Sequence, residues 1–426
     1  MIRRFCFSGS SIFIALRYLW GRAKEGGRYL RGAAAGIALS LVPIIVTLIV
    51  ADGMIRGITS RYLELGTGHL QIYDYFSYSE YPDELLDNIS RLEGIRGTWR
   101  EKQGLGIILS KEGRVGATIR AVDNGFWQDP GSAEYLEVLA GSSELEAENE
   151  LLLGRALAET LEAEPGSLVR LMTMRADEEG RNLPRVTLFT VKGIISSGYR
   201  ELDSLWCIIN YEAGLTLLSP ELYRAFLIVK TNDPYRSVEK TAEQIMIQAG
   251  PGYGVYTWKE LQQSLYRSFE STRQILLFIM ALLVLVAAVN VSSATSMLVI
   301  ERQRDIAVLK TGGSGPFSIQ NIFLWGAFLT GLAGAILGIS LGLLIGKEIN
   351  AIILGLEKLL SFLGSPWGGE VKILDPDYYL EVIPIIIDWK MVLVIGLFTL
   401  LCSCLASLLP ARRAGKLKPL EILRRV

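Results

Sequence analysis

The stretch QILLFIMALLVLVAAVNVSSATSMLVI, from Gln274 to Ile300, contains no charged residue, and Arg273 and Glu301 close its two ends. An α-helix rises about 1.5 Å per residue, so about 20 apolar residues cross a hydrocarbon layer about 30 Å thick. The stretch is longer than this requirement. It therefore predicts a helix that crosses a membrane.

Three further uncharged runs of sufficient length lie before and after this stretch along the chain of 426 residues. The alternative is a soluble domain that buries these runs as core helices, but four such runs in one chain argue against it. The hydrophobic content of 50% also favours a membrane protein. The predicted spans are 32–52, 273–300, 317–346 and 391–410.

The net charge of −1 conceals an uneven distribution of charge along the chain. Residues 1–31, 301–315 and 411–426 together carry 16 of the 43 Lys and Arg but only 4 of the 44 Asp and Glu. Basic residues next to a membrane are retained on the cytoplasmic side. We therefore predict a cytoplasmic or interfacial N-terminal helix in 1–31, a cytoplasmic segment 301–316 and a cytoplasmic tail 411–426, with 53–272 and 347–390 outside.

The segment 53–272 alternates short apolar runs with turn-forming residues, which predicts a mixed α+β domain. Its only cysteine is Cys207, so it forms no internal disulfide and needs a packed core, for which its length is sufficient. The fold class predicted is an α-helical membrane protein with four spans and a large α+β domain outside the membrane. The expected strands are His69–Tyr75, Leu105–Ser110, Ala117–Val122, Leu168–Met174, Val186–Gly193 and Leu205–Ile209, and the expected helices are Leu151–Glu162 and Val238–Gln248.

A polar segment, Arg175–Arg185, separates two of the expected strands and contains the turn-forming residues Gly180 and Pro184. This pattern predicts a projecting hairpin. Most hairpins only connect strands, but exposed loops on a rigid scaffold are also where binding residues concentrate. The candidates for a binding role are Arg175, Arg181, Pro184 and Arg185.

Two of the predicted spans carry small residues at intervals of four. The third span has Gly334, Gly338, Gly342 and Gly346, and the first span has Gly32, Gly36 and Ser40. Such a repeat leaves one helix face without large side chains, so that a second helix approaches closely. We predict that these seven residues pack helices together.

The chain lacks the residues of several common catalytic sites. No stretch fits G-x-x-x-x-G-K-[ST], so the sequence predicts no nucleotide hydrolysis by a P-loop. His69 is the only histidine and has no neighbouring cysteine, which leaves too few ligands for zinc and no histidine relay. A structural role for His69 is the favoured reading, and we expect neither a catalytic residue nor a metal site.

Several motifs together resemble a known family of membrane proteins. These are ERQRDIAVLKTGGSG (Glu301–Gly315), the glycine-rich span that follows it, and LLPARRAGKLKPLEILR (Leu408–Arg424). They resemble the FtsX/MacB-like permeases of ABC transporters. Within that family, VKGIISSGYRELDS (Val191–Ser204) and YLEVIPIIIDW (Tyr379–Trp389) are most similar to the lipoprotein-releasing permeases of the LolC/LolE type.

The resemblance implies that ATP and Mg²⁺ bind a separate ATPase dimer, similar to LolD, and not this chain. It implies a coupling helix in 301–316 that docks on that ATPase, supported by ion pairs three residues apart and presenting Ile306 and Leu309 as an apolar edge. A cytoplasmic helix without a partner is the alternative. The coupling residues are then Glu301, Arg302, Arg304, Asp305, Ile306, Leu309 and Lys310.

The resemblance also implies a cell inner membrane location, a MacB-like core in the outer domain, and a second permease subunit, either identical or homologous. The substrate is then a lipoprotein, passed to a periplasmic carrier similar to LolA, for which the hairpin Arg175–Arg185 is the candidate binding site. Two alternatives stay open: a permease of the cell-division type that moves its outer domain to regulate a partner, and a membrane enzyme with an active site in the outer domain.

Overall fold

The computed structural model describes residues 9–20, 27–75, 81–176, 181–220, 222–223, 225–364, 380 and 382–418. Within these ranges the chain divides into two compact units. The membrane unit comprises the described residues of Met1–Gly53, Glu270–Gly369 and Ile385–Val426, and the outer unit comprises those of Met54–Phe269 and Glu370–Pro384.

The described part of the chain contains both long and short helices, together with the strands of one sheet. The helices are α1 (Gly9–Trp20), α2 (Gly27–Arg61), α3 (Asp83–Ser90), α4 (Asn124–Gln128), α5 (Pro130–Tyr135), α6 (Arg155–Leu161), α7 (Arg200–Asp203), α8 (Tyr211–Leu217), α9 (Val238–Ala249), α10 (Trp258–Leu261), α11 (Gln263–Glu301), α12 (Gln303–Thr311), α13 (Pro316–Lys347), α14 (Ile349–Gly364) and α15 (Trp389–Lys416), and a π-helix, Tyr62–Thr67, follows α2. The strands are β1 (Leu70–Asp74), β2 (Ile95–Leu109), β3 (Arg114–Val122), β4 (Glu137–Gly141), β5 (Glu150–Gly154), β6 (Leu168–Ala176), β7 (Asn182–Ser196), β8 (Trp206–Asn210), β9 (Ala225–Thr231) and β10 (Tyr253–Thr257).

Four helices, α2, α11, α13 and α15, are long and apolar enough to cross a membrane. They contain the four predicted spans, and each continues beyond its span at one or both ends. The predicted fold class, four membrane helices with an α+β domain, is therefore confirmed. Of the predicted N-terminal and C-terminal segments, residues 1–8, 21–26 and 419–426 lie outside the described part of the chain.

The segment 347–390 contains a helix that the sequence analysis did not predict. Helix α14 occupies Ile349–Gly364, while residues 365–379 and 381 lie outside the described part. Its apolar residues recur at helical spacing, but Glu357 and Lys358 interrupt them, so no uncharged run marks the helix. A search for uncharged runs alone misses a helix of this type.

The outer unit is built on one mixed sheet of ten strands. The order is β10-β1-β9-β2-β3-β8-β5-β7-β4, and β6 pairs with both β2 and β7. The pairs β3–β8 and β5–β7 are parallel, and the other pairs are antiparallel. The long strand β2 contacts β3, β6 and β9, so it ties the two halves of the sheet together.

The core of the outer unit lies on both faces of this sheet, which explains one wrong prediction. Leu151 and Leu153 pack into one hydrophobic cluster, whereas Leu152 packs into another on the opposite face. A strand buried on both faces reads as a continuous apolar run and is easily mistaken for a helix. The predicted helix Leu151–Glu162 is in fact strand β5 followed by helix α6.

Candidate functional site

The predicted coupling segment contains a short, separate helix. Helix α11 ends at Glu301 and α12 begins at Gln303, with Arg302 between them in a non-helical conformation. The guanidinium of Arg302 donates to the Asp305 carboxylate, with 3.2 Å between Nη1 and Oδ2. This is one of the two ion pairs at a spacing of three residues that the sequence indicated.

Lys310, at the C-terminal end of α12, forms hydrogen bonds to α15 that were not predicted from the sequence. Its Nζ donates to the carbonyl oxygens of Gly415 at 2.7 Å and Leu417 at 2.5 Å. The last carbonyls of a helix have no partner within the helix, so a lysine is well suited to satisfy them. Lys310 therefore joins α12 to the end of α15.

The prediction that Ile306 and Leu309 form an exposed apolar edge is wrong for Ile306, and Leu309 is only partly exposed. Ile306 is only 1% exposed, and it packs in a cluster with Leu298, Phe323 and Ala411, against which Leu309 also lies. These two residues hold α12 on the membrane unit. Ile306 is therefore not accessible to a docking partner in this conformation.

The exposed side of α12 consists of different residues. Arg304, Val308 and Thr311 are exposed, and their spacing of four and three residues places them on one helix face. Glu301, which precedes the helix, is exposed as well. Val308 is 65% exposed and was missed, although its position four residues after Arg304 was a signal that could have identified it. We call Arg304, Val308 and Thr311 the exposed face of α12.

The glycines of the third span lie directly against α2. A Cβ added at Gly334 would lie 2.7 Å from Ile37 Cβ and 2.8 Å from the Ala34 oxygen. A Cβ added at Gly338 would lie 2.8 Å from Leu41 Cβ. Side chains do not approach this closely, so only glycine permits the contact at these two positions.

Gly342 and Gly346 also lie directly against α2. A Cβ added at Gly342 would lie 2.7 Å from Ile45 Cβ, and one at Gly346 would overlap the side chain of Ile49. Helix α2 therefore presents a residue every four positions, and each one meets a glycine of α13. The contact is tight along more than three turns of both helices.

The small residues of the first span lie on a different face from the one that meets α13. A Cβ added at Gly32 would meet nothing within 4 Å in the described part of the chain, and one at Gly36 would meet only Asn290 Nδ2 at 3.9 Å. Ser40 donates to the Gly36 carbonyl within its own helix. The prediction that these three residues pack α2 tightly against another helix is wrong within this chain.

The predicted hairpin is formed by strands β6 and β7, which pair from Leu168↔Thr190 to Ala176↔Asn182. Residues 177–180, at its turn, lie outside the described part of the chain. Arg175, Arg181 and Pro184 are exposed. Arg185 Nη1 donates to the Thr216 oxygen at 2.7 Å, which fixes its side chain on the outer unit.

The same hairpin has an exposed apolar surface that the sequence analysis missed. Met174, Val186 and Leu188 are 45%, 55% and 53% exposed, and Leu168 is 61% exposed. In the antiparallel register these residues and their cross-strand partners point to one face of the sheet. The signal for this exposed surface was the alternation of side chains along β6 and β7. Val169, Leu171 and Phe189, which lie between the exposed residues, are buried.

His69 has the structural role predicted for it. The Thr231 amide donates to His69 Nδ1 at 2.8 Å, so the ring donates from Nε2 to the Glu64 carboxylate, 3.2 Å away. Burial lowers the pKa of His69, and the neighbouring Glu64 only partly opposes this effect. The imidazole is therefore neutral at pH 7 and both of its nitrogens have partners.

The buried Lys230 also bonds to Glu64, the hydrogen-bond partner of His69. Lys230 Nζ donates to the carbonyl oxygens of Leu63 and Glu64 in the π-helix, both at 2.7 Å, and to the Glu64 carboxylate at 2.8 Å. Burial lowers the pKa of Lys230 to about 8, although the charge of Glu64 opposes this shift. These bonds fix the π-helix to strand β9.

A second buried ion pair lies in the centre of the sheet. Arg120 on β3 donates to both carboxylate oxygens of Glu101 on β2, at 2.7 and 2.9 Å, and both side chains are fully buried. The Arg120 guanidinium carbon lies 4.4 Å from the centre of the Trp206 ring. In the part of the chain that the structure describes, no group of three His, Cys, Asp or Glu is placed to hold a metal ion.

Comparisons with known proteins place these features in a family context. The FtsX-like permease C-terminal family matches residues 277–419, which include α12, α13 and α15. LolC of Neisseria meningitidis serogroup B, a lipoprotein-releasing system transmembrane protein, is 28% identical over 97% of this chain and 98% of its own length.

Two further relatives align over similar lengths. LolC of Xylella fastidiosa Temecula1 is 27% identical over 98% of this chain and 99% of its own. LolE of Haemophilus influenzae is 24% identical over 96% of this chain and 98% of its own. Over nearly its whole length the chain is thus similar to the lipoprotein-releasing transmembrane proteins LolC and LolE, and residues 277–419 are similar to the C-terminal region of the FtsX-like permeases.

Proposed function

We propose that this chain is the permease subunit of an ABC transporter that extracts lipoproteins from the inner membrane and passes them to a periplasmic carrier, powered by a separate ATPase subunit. The observation that carries this proposal is the similarity to LolC and LolE, which extends over 96 to 98% of the chain and includes both units. The proposed orientation has cytoplasmic termini and a periplasmic outer unit, as the distribution of basic residues indicates.

The exposed face of α12 is the proposed docking surface for the ATPase. Arg304 and Val308 combine a cation and an apolar side chain on a helix that is itself fixed to α15 through Lys310. A helix that is fixed to a membrane helix in this way can transmit a displacement to it. In this proposal ATP and Mg²⁺ bind the partner, a dimer similar to LolD, because this chain has no P-loop.

A second permease subunit, identical or homologous, is proposed to cover α2 and α11. Gly32 is exposed on α2, and Asn290 and Ser293 are exposed on α11. Polar side chains at membrane depth usually face protein or a cavity and not lipid. The exposure of these residues supports a partner subunit, with the acyl chains of the substrate between the two subunits.

The need for ATP follows from the chemistry of the substrate. An acyl chain gains about 0.8 kcal/mol per CH₂ group on burial in hydrocarbon. A lipoprotein that carries several chains therefore leaves the bilayer only if another process supplies the free energy. The partner ATPase is the proposed source, and this chain transmits its movement without catalysing a reaction.

The hairpin is the proposed binding site for the carrier, a soluble protein similar to LolA. Its exposed apolar residues Met174, Val186 and Leu188 share one face of the hairpin, and Arg175 and Arg181 are exposed near its turn. A protein that shields acyl chains has apolar surface of its own, which complements such a patch. Arg185 is bound to Thr216 and is proposed to hold the hairpin in position.

Reconstitution tests the proposal. The complex of this chain with its ATPase and second permease, in proteoliposomes that contain a triacylated lipoprotein, is expected to transfer that lipoprotein to a soluble carrier only when ATP is present. Val186→Asp in the hairpin is expected to abolish transfer and to leave ATP hydrolysis intact. The matched control is Val138→Asp, since Val138 is also an exposed strand residue, 40% accessible, but lies on β4, which pairs with β7 only between Gly193 and Ser196, beyond the residues of β7 that pair with β6.

Intact ATP hydrolysis without any transfer by the unmodified complex would contradict lipoprotein release. It would favour a permease that moves its outer domain to regulate a partner.

A further inference from the structure

Helices α13 and α15 pack together in the membrane unit and leave an open groove between them. Its volume of about 320 Å³ falls in the range of roughly 300–1,000 Å³ that is common for small-molecule sites. The groove is lined by Asn321, Trp325 and Phe328 of α13 and by Leu401, Leu405 and Leu408 of α15.

Apart from Asn321, the lining residues form an apolar surface. On each helix they are separated by three or four residues, so they lie one above the other along the helix axis. The rings of Trp325 and Phe328 meet edge to face, with 5.4 Å between their centres. None of the lining residues is charged, and the groove therefore fits an elongated apolar group such as an acyl chain.

One end of the groove is basic. Arg412 lies four residues after Leu408, so it continues the same face of α15 about 6 Å further along the axis. The Arg412 side chain is exposed. Arg413 is exposed too, but it is turned by about 100° from this face because a helix has 3.6 residues per turn. The apolar groove and Arg412 together match a lipid with an anionic headgroup.

We propose that this groove binds one anionic phospholipid, with an acyl chain between α13 and α15 and the headgroup phosphate paired with Arg412. The assignment of this lipid to the cytoplasmic leaflet rests on the proposed orientation, in which the start of α13 and the end of α15 face the cytoplasm. The binding itself requires neither a lipoprotein nor ATP. Its failure and a failure of lipoprotein release are therefore separate results.

The experiment uses the full-length chain in nanodiscs of phosphatidylcholine with one part in ten of phosphatidylglycerol. After extraction into mild detergent, the phospholipid that stays bound is identified and counted by native mass spectrometry. The unmodified chain is expected to retain phosphatidylglycerol in preference to phosphatidylcholine. Arg412→Gln is expected to reduce this preference about five-fold, while Arg413→Gln, the matched control, leaves it unchanged.

A second pair of variants tests the groove independently of charge. Cys404 also lines the groove, and Cys404→Trp is expected to displace the bound phospholipid by filling the space. Leu409→Trp, one turn further along α15 and 66% exposed outside the lining, is expected to leave it bound. Equal retention in Arg412→Gln and Arg413→Gln would overturn the assignment of the headgroup. Unchanged phospholipid in Cys404→Trp would overturn the site.

Discussion

The Lys310 ammonium lies 2.7 Å from the Gly415 carbonyl oxygen, and through this hydrogen bond α12 is attached to the end of the last membrane helix. The bond connects residues 105 positions apart in the sequence. If α12 docks on the ATPase, this attachment, together with the packing of Ile306 against Ala411, connects a movement of α12 to α15.

Removal of the attachment is expected to uncouple the two helices. Lys310→Met leaves the carbonyls of Gly415 and Leu417 without their donor, so the ATP hydrolysis rate of the assembled complex is expected to fall several-fold, with normal membrane insertion. Lys416→Met, which removes an exposed basic residue nearby, is the control and should have little effect. Equal rates in the two variants would show that the bond is not used in coupling.

Charge reversal on the exposed face of α12 is expected to weaken ATPase binding. Arg304→Glu replaces an exposed cation on this face with an anion, and the measurement is the amount of ATPase that co-purifies with the permease. Lys358→Glu makes the same change at an exposed residue of α14 and is expected to leave co-purification unchanged. Loss of the ATPase in both variants would indicate a general effect of charge and not a docking surface.

A single methyl group is expected to disturb the contact between α13 and α2. In Gly338→Ala the new Cβ overlaps Leu41 and Ala38, and overpacking of this kind costs roughly 1–3 kcal/mol. Gly326→Ala is the matched control in the same helix, since a Cβ there meets nothing within 4 Å in the described part of the chain. The thermal unfolding temperature of the purified protein should fall only for Gly338→Ala, and a fall of equal size in both would contradict tight packing.

Removal of one partner of the buried Arg120–Glu101 ion pair is expected to lower the stability of the chain more than removal of both. Glu101→Leu leaves the Arg120 charge buried without its counterion, which costs roughly 3–5 kcal/mol. The double variant Glu101→Leu with Arg120→Met removes both charges and is expected to regain most of the loss. Urea titration of the full chain in detergent measures both variants, and a double variant no more stable than the single one would refute this account.

The neutral state of His69 predicts a pH dependence of stability. Its pKa is lower in the folded chain than the ordinary value of 6.5, so below pH 6.5 the unfolded chain binds a proton that the folded chain does not. Stability is therefore complete above pH 6.5 and decreases as the pH falls from 6.5 toward the folded pKa. His69→Gln, which cannot titrate, should flatten this part of the curve in calorimetry, and an unchanged slope would exclude His69 as the cause.

The long helices could be predicted from the sequence because the absence of charge over about 20 residues is a local property. The partner of each glycine could not be predicted, because Gly338 meets Leu41, which is distant in the sequence. The sequence placed a short helix within 301–316, but the burial of Ile306 depends on Phe323 and Ala411 in other helices. Helical spacing identifies a set of residues on one face, whereas the tertiary structure decides which face is covered.

Strands β1 and β10 are neighbours in the sheet, paired over five positions from Leu70↔Thr257 to Asp74↔Tyr253. They are the first and the last strands of the outer unit, so the chain enters and leaves its sheet at a single edge. All the other strands lie in sequence between these two, as a continuous insertion with adjacent ends. A change in the length of the segment between β1 and β10 therefore need not move the two points at which the chain enters and leaves the sheet.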